Sequence, residues 1–128
     1  MLAACALAAV AAAHAAPSID AHLSVTVDGL KPDGGPIQLG VYDEATFLLI
    51  SDTPLFKKTV DAEASVLIDF PRLPPGSYAL KAFQDLNGNG KRDAGEPQAV
   101  SNGAAGTDFD AAAIVLTPGD NAAVLHLH

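Results

Sequence analysis

The sequence predicts an all-β protein, a single immunoglobulin-like or transthyretin-like antiparallel β-sandwich of about seven strands. Two observations predict this fold. Short apolar runs alternate with polar residues and are separated by Gly, Pro and Asp, which is typical of strands joined by turns. The chain also has 128 residues, enough for one domain and too few for two ordinary ones. Short strands of this number suit a sandwich.

Seven segments carry the strand pattern. The first contains Leu23, Val25 and Val27, each followed by a polar residue, so that one face is apolar. The second strand repeats this alternation with Ile37, Leu39 and Val41. The other five strands are expected at 56–60, 64–70, 78–83, 109–116 and 122–128. Pro74, Pro75 and Gly76 predict a sharp turn before the fifth strand, because proline fixes φ and glycine tolerates a positive φ.

Residues 43–50 interrupt the strand pattern. Asp43 is a good helix N-cap residue, and four successive apolar side chains follow at 47–50. We expect a short helix or bulged loop that closes one end of the sandwich, with Phe47 in the core. An exposed apolar binding patch is the alternative. Tyr42 and Tyr78 have apolar neighbours, so we expect both rings in the core.

The N-terminal segment has the features of a secretory signal. Residues 1–16 carry no acidic or basic side chain, and the apolar run at 2–13 is too short to span a bilayer. Ala13-His14-Ala15 matches the small-x-small cleavage pattern. We therefore expect a signal peptide at 1–16 and a β-sandwich domain at 17–128, with a retained N-terminal anchor as the alternative. The protein would be exported, periplasmic or extracellular, with no membrane span after cleavage.

The single cysteine lies inside this segment. Residues 2–5 are similar to a lipobox that ends at Cys5, but the apolar stretch follows the cysteine instead of preceding it. We interpret Cys5 as a small apolar residue of the signal helix. The mature domain then contains no cysteine, so its core must be stable without disulfides.

The formal net charge of −8 limits the possible partners. A basic face for nucleic acid is not expected, and anionic lipid surfaces would repel the domain. Cations are the natural partners of such a surface, although acidic charge also simply keeps an exported domain soluble.

Residues 85–96 match the twelve-position calcium loop of an EF-hand. Gly90 stands at position six, where the chain must turn sharply. The candidate ligands are Asp85, Asn87, Asn89, Lys91 through its backbone carbonyl, Asp93 and Glu96. Calcium prefers six to eight oxygen ligands, which this pattern can supply, and we expect the moderate affinity of an extracellular module. The alternative is a purely structural run of Asx turns, which Asn-Gly pairs also favour.

Three sequence blocks resemble the domain of unknown function 2141 family. They are GPIQLGVY at 35–42, FPRLPPGSYA at 70–79 and FQDLNGNGKRD at 83–93. Ser101-Asn102 resembles a Ser-Asn pair of the family, although the stretch at 95–100 is shorter than is usual there. The resemblance implies a small exported bacterial protein with no established activity. The Leu-Pro-Pro-Gly-x-Tyr turn is also similar to transthyretin-like domains attached to carboxypeptidases, which implies a sandwich that acts as a folding, binding or spacer module.

The sequence contains no recognised catalytic motif. It has no Gly-x-Ser-x-Gly elbow, no His-Glu-x-x-His, no phosphate-binding loop and no cysteine nucleophile after the signal. A carbohydrate-binding module is disfavoured because the chain lacks Trp. Asp108 and Asp110 form a same-face acidic pair on the predicted sixth strand, which we interpret as solvated.

We therefore expect a non-enzymatic, exported, calcium-stabilised β-sandwich that acts as a binding or accessory protein of the cell envelope, with an unknown protein or envelope partner. The alternative function is transition-metal handling in the periplasm. It would use His126 and His128, which alternation places on one strand face, with a further ligand such as His22.

Overall fold

The computed structural model describes residues 20–48 and 53–128, so the predicted signal peptide and the apolar residues at 49–50 lie outside the described part. The described residues form eight strands, two four-residue helices and one 3-10 turn at Ser101–Gly103. The strands are β1 (Ala21–Asp28), β2 (Ile37–Tyr42), β3 (Phe56–Val60), β4 (Ser65–Leu73), β5 (Gly76–Gln84), β6 (Gln98–Val100), β7 (Ile114–Leu116) and β8 (Gly119–His126). The helices are α1 (Glu44–Phe47) and α2 (Phe109–Ala112).

The strands form two sheets, which confirms the predicted all-β sandwich. The first sheet has the order β4-β1-β8, and the second has the order β3-β2-β5-β6 with β7 paired to β5. All the described strand pairs are antiparallel except β1 and β8, which run parallel. This exception to the expected antiparallel arrangement is possible because β1 and β8 lie far apart in the sequence, so no short hairpin dictates their direction.

The core lies between the two sheets and is built by side-chain alternation. In β1, every second residue is fully buried while the residues between are partly exposed, so one face packs inward. The second sheet contributes Ile37, Leu39 and Val41 from β2 and Leu80 from β5. These residues are those that the alternating pattern predicted for the buried face.

A second, smaller apolar cluster covers the outer face of the second sheet. It contains Tyr42, Phe47, Ala79 and Ala112, so both short helices pack on this face. The Phe47 ring meets the Tyr42 ring edge-on, with the centroids 6.1 Å apart. The predicted short helix is present and Phe47 is buried, but the helix packs on the outer face of the second sheet instead of closing one end of the sandwich. Tyr42 and Tyr78 are buried as expected.

The predicted N-cap of α1 is also present. Thr46 donates a backbone hydrogen bond to the Asp43 carboxylate at 2.8 Å, and the Asp43 backbone N–H donates to the Thr46 hydroxyl at 3.0 Å. These reciprocal bonds form a capping box. The Thr46 backbone bond also holds the pKa of Asp43 below its ordinary value.

The predicted strand at 109–116 is wrong in its first half. Residues 109–112 form α2 because the Asp108 side chain accepts a hydrogen bond from the Ala111 backbone N–H and caps the helix. Only Ile114–Leu116 are strand, paired with the start of β5. Asp108 and Asp110 therefore belong to a helix N-terminus and not to a strand face.

Other elements also differ from the sequence-based boundaries: β8 is Gly119–His126 instead of 122–128, and β5 is Gly76–Gln84 instead of 78–83. β6 was not predicted, because its three residues are too few to show alternation. β4 continues to Leu73 and includes Pro71. Proline is tolerated there because β4 is the edge strand of its sheet.

Candidate metal centre

The twelve-residue loop at 85–96 connects two neighbouring strands of the second sheet. Asp85 directly follows β5, and Glu96 is separated from β6 by one proline. The Gln84 backbone N–H donates to the carbonyl of Pro97 at 2.9 Å, so paired strands close the base of the loop. Asp85 and Glu96 are buried at this base, with relative exposures of 3% and 6%.

Asp85 has one satisfied and one unsatisfied carboxylate oxygen. Its Oδ2 accepts a hydrogen bond from the Gly90 backbone N–H at 2.8 Å, which draws the loop back over the carboxylate. Its Oδ1 is buried and has no hydrogen-bond partner within residues 20–48 and 53–128. Buried charged oxygens without a partner are costly, and a cation is one group that offsets this cost.

Glu96 is held by the backbone of the loop. Its Oε2 accepts a hydrogen bond from the Leu86 N–H and its Oε1 accepts one from the Asp93 N–H, both at 2.8 Å. Each carboxylate oxygen can accept at more than one lone pair. Glu96 is therefore fixed in orientation while it keeps acceptor capacity for a metal ion.

Two amide side chains surround Asp93. Asn87 and Asn89 donate to Oδ2 of Asp93 at 2.9 and 2.7 Å. These two bonds, the Asn87 bond first, hold the pKa of Asp93 below its ordinary value, and the nearby Lys91 charge adds to the effect. Asp93 is therefore ionised at neutral pH.

The amide oxygens of the same residues form Asx turns. Asn87 Oδ1 accepts from the Asn89 N–H at 3.3 Å, and Asn89 Oδ1 accepts from the Lys91 N–H at 2.9 Å. Gly88 and Gly90 follow with φ of +71° and +77°, values that favour glycine. The turns that the sequence offered as an alternative to calcium are thus present, and an oxygen in such a turn retains a second lone pair.

The structure brings only some of the predicted ligands together. Asp93 contacts both asparagines, and Asp85 and Glu96 lie at the base, but in the described part of the chain no three His, Cys, Asp or Glu side chains are grouped closely enough to hold a metal ion. The residues fit calcium in their chemistry, because they supply oxygen donors and include the unpartnered Oδ1 of Asp85. Rotation of the two Asn amides and of Asp93 would be needed to turn their oxygens toward one centre.

The residues that support the loop from below are not evident from the sequence pattern. Gln84 is fully buried, accepts from the Lys31 N–H at 2.8 Å and donates to the carbonyls of Lys31 and Gly35 at 2.6 and 3.0 Å. The next residue, Asp85, donates its backbone N–H to the Pro36 carbonyl at 2.9 Å. The Gly-rich turn before β2 therefore anchors the first candidate ligand. The only sequence signal was the Gly34-Gly35-Pro36 run, which predicts a turn but not its contacts.

The described histidines lie at separate places: His22 and His126 lie on β1 and β8 of the first sheet, and the backbone of His128 is bonded to Gln98 of β6. His22 lies between Asp120 at 3.0 Å and Asp69 at 3.3 Å, and His126 contacts Asp28 at 2.5 Å. Because His126 pairs with Asp28, six residues along β1 from His22, the two histidines are roughly 20 Å apart. The structure therefore does not bring His22 to the exposed pair His126 and His128.

Electrostatics at His22 follow from its two acidic neighbours. The hydrogen bond with Asp120 raises the pKa of His22 above its ordinary value of 6.5; desolvation opposes this increase, and the hydrogen bond with Asp69 adds a smaller increase. The Ser24 hydroxyl donates to Asp69 at 2.7 Å and lowers the pKa of that carboxyl.

Fold and loop together define a small β-sandwich with an oxygen-rich loop between adjacent strands. A family model described as "Uncharacterized protein conserved in bacteria (DUF2141)" matches residues 25–123, and the chain belongs to this family. No curated protein and no solved structure matches the chain. Within the described residues, no helix is long and apolar enough to cross a membrane.

Proposed function

We propose that this protein is a non-enzymatic, exported β-sandwich that binds calcium in the loop at 85–96 and serves as a binding or accessory module of the cell envelope. The observation that carries the proposal is the Oδ1 atom of Asp85, a buried carboxylate oxygen without a hydrogen-bond partner in the described part of the chain. The same residue occupies the first ligand position of the twelve-residue pattern.

Charge supports a divalent cation over a neutral ligand. Asp85, Asp93 and Glu96 place three carboxylates in one twelve-residue loop, and a bound cation would relieve their mutual repulsion. Lys91 and Arg92 offset part of this negative charge. An affinity in the range of extracellular calcium modules, roughly 10⁻⁴ to 10⁻³ M, is therefore expected.

Position in the fold supports a structural role for the ion. Asp85 and Glu96 flank the paired ends of β5 and β6, and both side chains already bond to loop backbone. An ion held by both carboxylates would join the two ends of the loop and raise the free energy of unfolding through binding to the native state.

The sequence supports the proposed export and wider role. The apolar run at 2–13 and the small-x-small pattern Ala13-His14-Ala15 support cleavage by signal peptidase, after which the sandwich would be released outside the cytoplasm. We propose further that the sandwich is of the transthyretin-like kind, whose relatives attached to carboxypeptidases imply a folding, binding or spacer role. The eight-strand, two-sheet architecture is compatible with this assignment.

Calcium titration by isothermal calorimetry tests the site directly. We expect one saturable calcium site per chain, and at least a tenfold weaker affinity in Asp85→Asn, because this change removes charge from a buried ligand while it keeps the shape of the side chain. Asp61→Asn is the matched control, since Asp61 is an exposed acid of the connection between β3 and β4.

Two results would contradict the calcium site. One is the absence of saturable heat in the unchanged protein at calcium concentrations up to about 10 mM, an order of magnitude above the expected range. The other is equal affinity in Asp85→Asn and the unchanged protein, which would place the bound ion elsewhere.

A further inference from the structure

A cavity of about 400 Å³ lies on the outer face of the second sheet, beside the loop described above. Its described lining residues are Gln38, Gly40, Tyr42, Pro54, Lys57, Lys81, Phe83, Gly90, Lys91 and Arg92. Three neighbouring strands form its floor and the tip of the loop at 90–92 forms one wall. The volume falls within the range of small-molecule sites.

The cavity concentrates the positive charge of an acidic protein. The whole chain has seven Lys and Arg residues and a net charge of −8, yet four of the seven line this one cavity. No Asp or Glu is among its described lining residues. A cleft lined by charges of one sign focuses the field and attracts ligands of the opposite sign.

Lys81 gives the cavity a fixed cation. Its relative exposure is only 8%, and its Nζ lies 4.3 Å from the centroid of the Phe47 ring and 5.0 Å from that of Tyr42. The carbonyl of Phe47 accepts from the same Nζ at 3.5 Å. The rings confine the ammonium group, so less side-chain entropy is lost when it meets a ligand than for an exposed lysine.

The other three cations stand at the rim and come from different elements. Lys57 belongs to β3 and is paired in register with Gly40, whereas Lys91 and Arg92 belong to the loop. All three side chains are exposed at the rim. Arginine is well suited to bidentate contacts with carboxylate or phosphate oxygens.

The uncharged lining residues add aromatic ring surfaces and a hydrogen-bonding amide to the cavity. Gly40 lies beneath the Tyr42 ring, and a Cβ at this position would come within 2.8 Å of Cε1 of that ring. The glycine thus allows the tyrosine to lie across the sheet. Gln38 and Phe83 complete the lining with an amide and an apolar ring.

We propose that this cavity binds a small oxyanion with at least two negative charges, either a phosphate or a compact di- or tricarboxylate. Four cations around a cavity of this size match two or more anionic groups better than one, and the ring surfaces can cover a short carbon skeleton. This binding does not require the calcium site, because the buried Lys81 and the exposed Lys57 belong to β5 and β3, outside the loop.

Isothermal calorimetry in metal-free buffer tests the proposal, with inorganic phosphate and citrate as separate probes. We expect saturable binding of at least one probe, and the comparison of the two identifies the preferred oxyanion class. Lys57→Gln and Arg92→Gln should each weaken binding about three- to tenfold, as expected for loss of one charge-assisted contact at a partly solvated site. Arg72→Gln is the matched control, since Arg72 is an exposed arginine of the first sheet near Asp20, and its affinity should be unchanged.

Amide chemical shifts give a second measurement that does not depend on the variants. Saturation with the bound probe should shift the backbone amides of Gly40 and Phe83, which lie in the floor. Failure of both probes to saturate up to about 10 mM would overturn the proposal, because four focused charges should exceed that weak affinity. Equal affinities of the Lys57→Gln, Arg92→Gln and Arg72→Gln proteins for the probe would also overturn the proposal, because they would show nonspecific attraction. Chemical-shift changes confined to the first sheet would overturn it for the same reason.

Discussion

Asp85 is held in one orientation by hydrogen bonds to two other parts of the backbone. Its backbone N–H is bonded to Pro36, and its Oδ2 is bonded to Gly90, so the carboxylate has little freedom to turn. The remaining oxygen is buried without a partner in the described part of the chain. A neutral side chain would avoid the desolvation cost at this place, and the proposed ligand role would account for the carboxylate.

His22 gives a pH-dependent prediction at the same scale. Contacts with Asp120 and Asp69 raise its pKa above 6.5 in the folded protein. The stabilising contribution of the protonated pair is therefore complete below the unfolded pKa and is lost as the pH rises through the folded pKa. We expect NMR titration to give a His22 pKa above 6.5 and Asp120→Asn to lower it.

The matched control for this titration is Asp110→Asn, which removes an exposed acid from α2 and leaves the His22 neighbours in place. The same His22 pKa in the Asp120→Asn protein and the unchanged protein would show that the acidic contact has no electrostatic effect.

At the scale of elements, the loop at 85–96 depends on the turn at 31–36. Gly35 has φ of +111°, and a Cβ at this position would lie against the carbonyl oxygen of Asp85, closer than real Cβ contacts come. The buried Gln84 side chain bonds both Lys31 and Gly35, which fixes this turn against β5. The glycine is therefore required for the close approach of two backbone segments.

We expect Gly35→Ala to lower the free energy of unfolding by about 2 to 4 kcal/mol, because it combines an unfavourable φ with a backbone clash. Urea denaturation measures this change. Gly106→Ala is the control, since nothing lies within 4 Å of its added Cβ, and it should change stability by less than about 0.5 kcal/mol. Equal stability of the two variants would contradict the proposed role of Gly35.

The alternation of apolar and polar residues predicted some elements of the fold and not others. Alternation located the buried faces of β1, β2 and β5 because a sandwich strand with one inward face must repeat every two residues. It failed at 109–112, where a single cap by Asp108 turns an apolar stretch into a helix. It also missed the parallel pairing of β1 with β8, because strand direction between distant segments is not encoded in either strand alone.

The candidate site was also predicted only in part. Spacing identified the loop and its turns, since Asn-Gly pairs determine local backbone geometry. The burial of Asp85 and the contacts of Gln84 depend on the turn at 31–36, some fifty residues earlier in the chain, so no local pattern could indicate them. The cavity was missed for the same reason, because β3, β5 and the loop each contribute its cations.

At the scale of the whole molecule, the calcium loop and the oxyanion cavity share residues 90–92. An ion that orders the loop would also position Lys91 and Arg92, so the two ligands should each raise the affinity for the other by the same factor. Glycerol phosphate is the probe for this coupling, because inorganic phosphate precipitates with calcium and citrate chelates it. We expect calcium to increase the affinity for glycerol phosphate about five-fold or more.

Asp85→Asn separates this coupling from general charge effects. It should abolish the calcium dependence and leave the metal-free affinity for glycerol phosphate within about twofold, because Asp85 does not line the cavity. An identical affinity of the unchanged protein with and without calcium would contradict the coupling but not the cavity itself.

The most direct test of the calcium account is the melting temperature of chelator-treated protein with and without calcium, for the unchanged chain and for Asp85→Ala. Calcium at about one hundred times its dissociation constant should add roughly 2.7 kcal/mol to the free energy of unfolding, which corresponds to a rise of several degrees in a domain of this size. We predict that rise in the unchanged chain and none in Asp85→Ala. Identical melting of the unchanged chain with and without calcium would contradict the account and leave residues 85–96 as a structural turn.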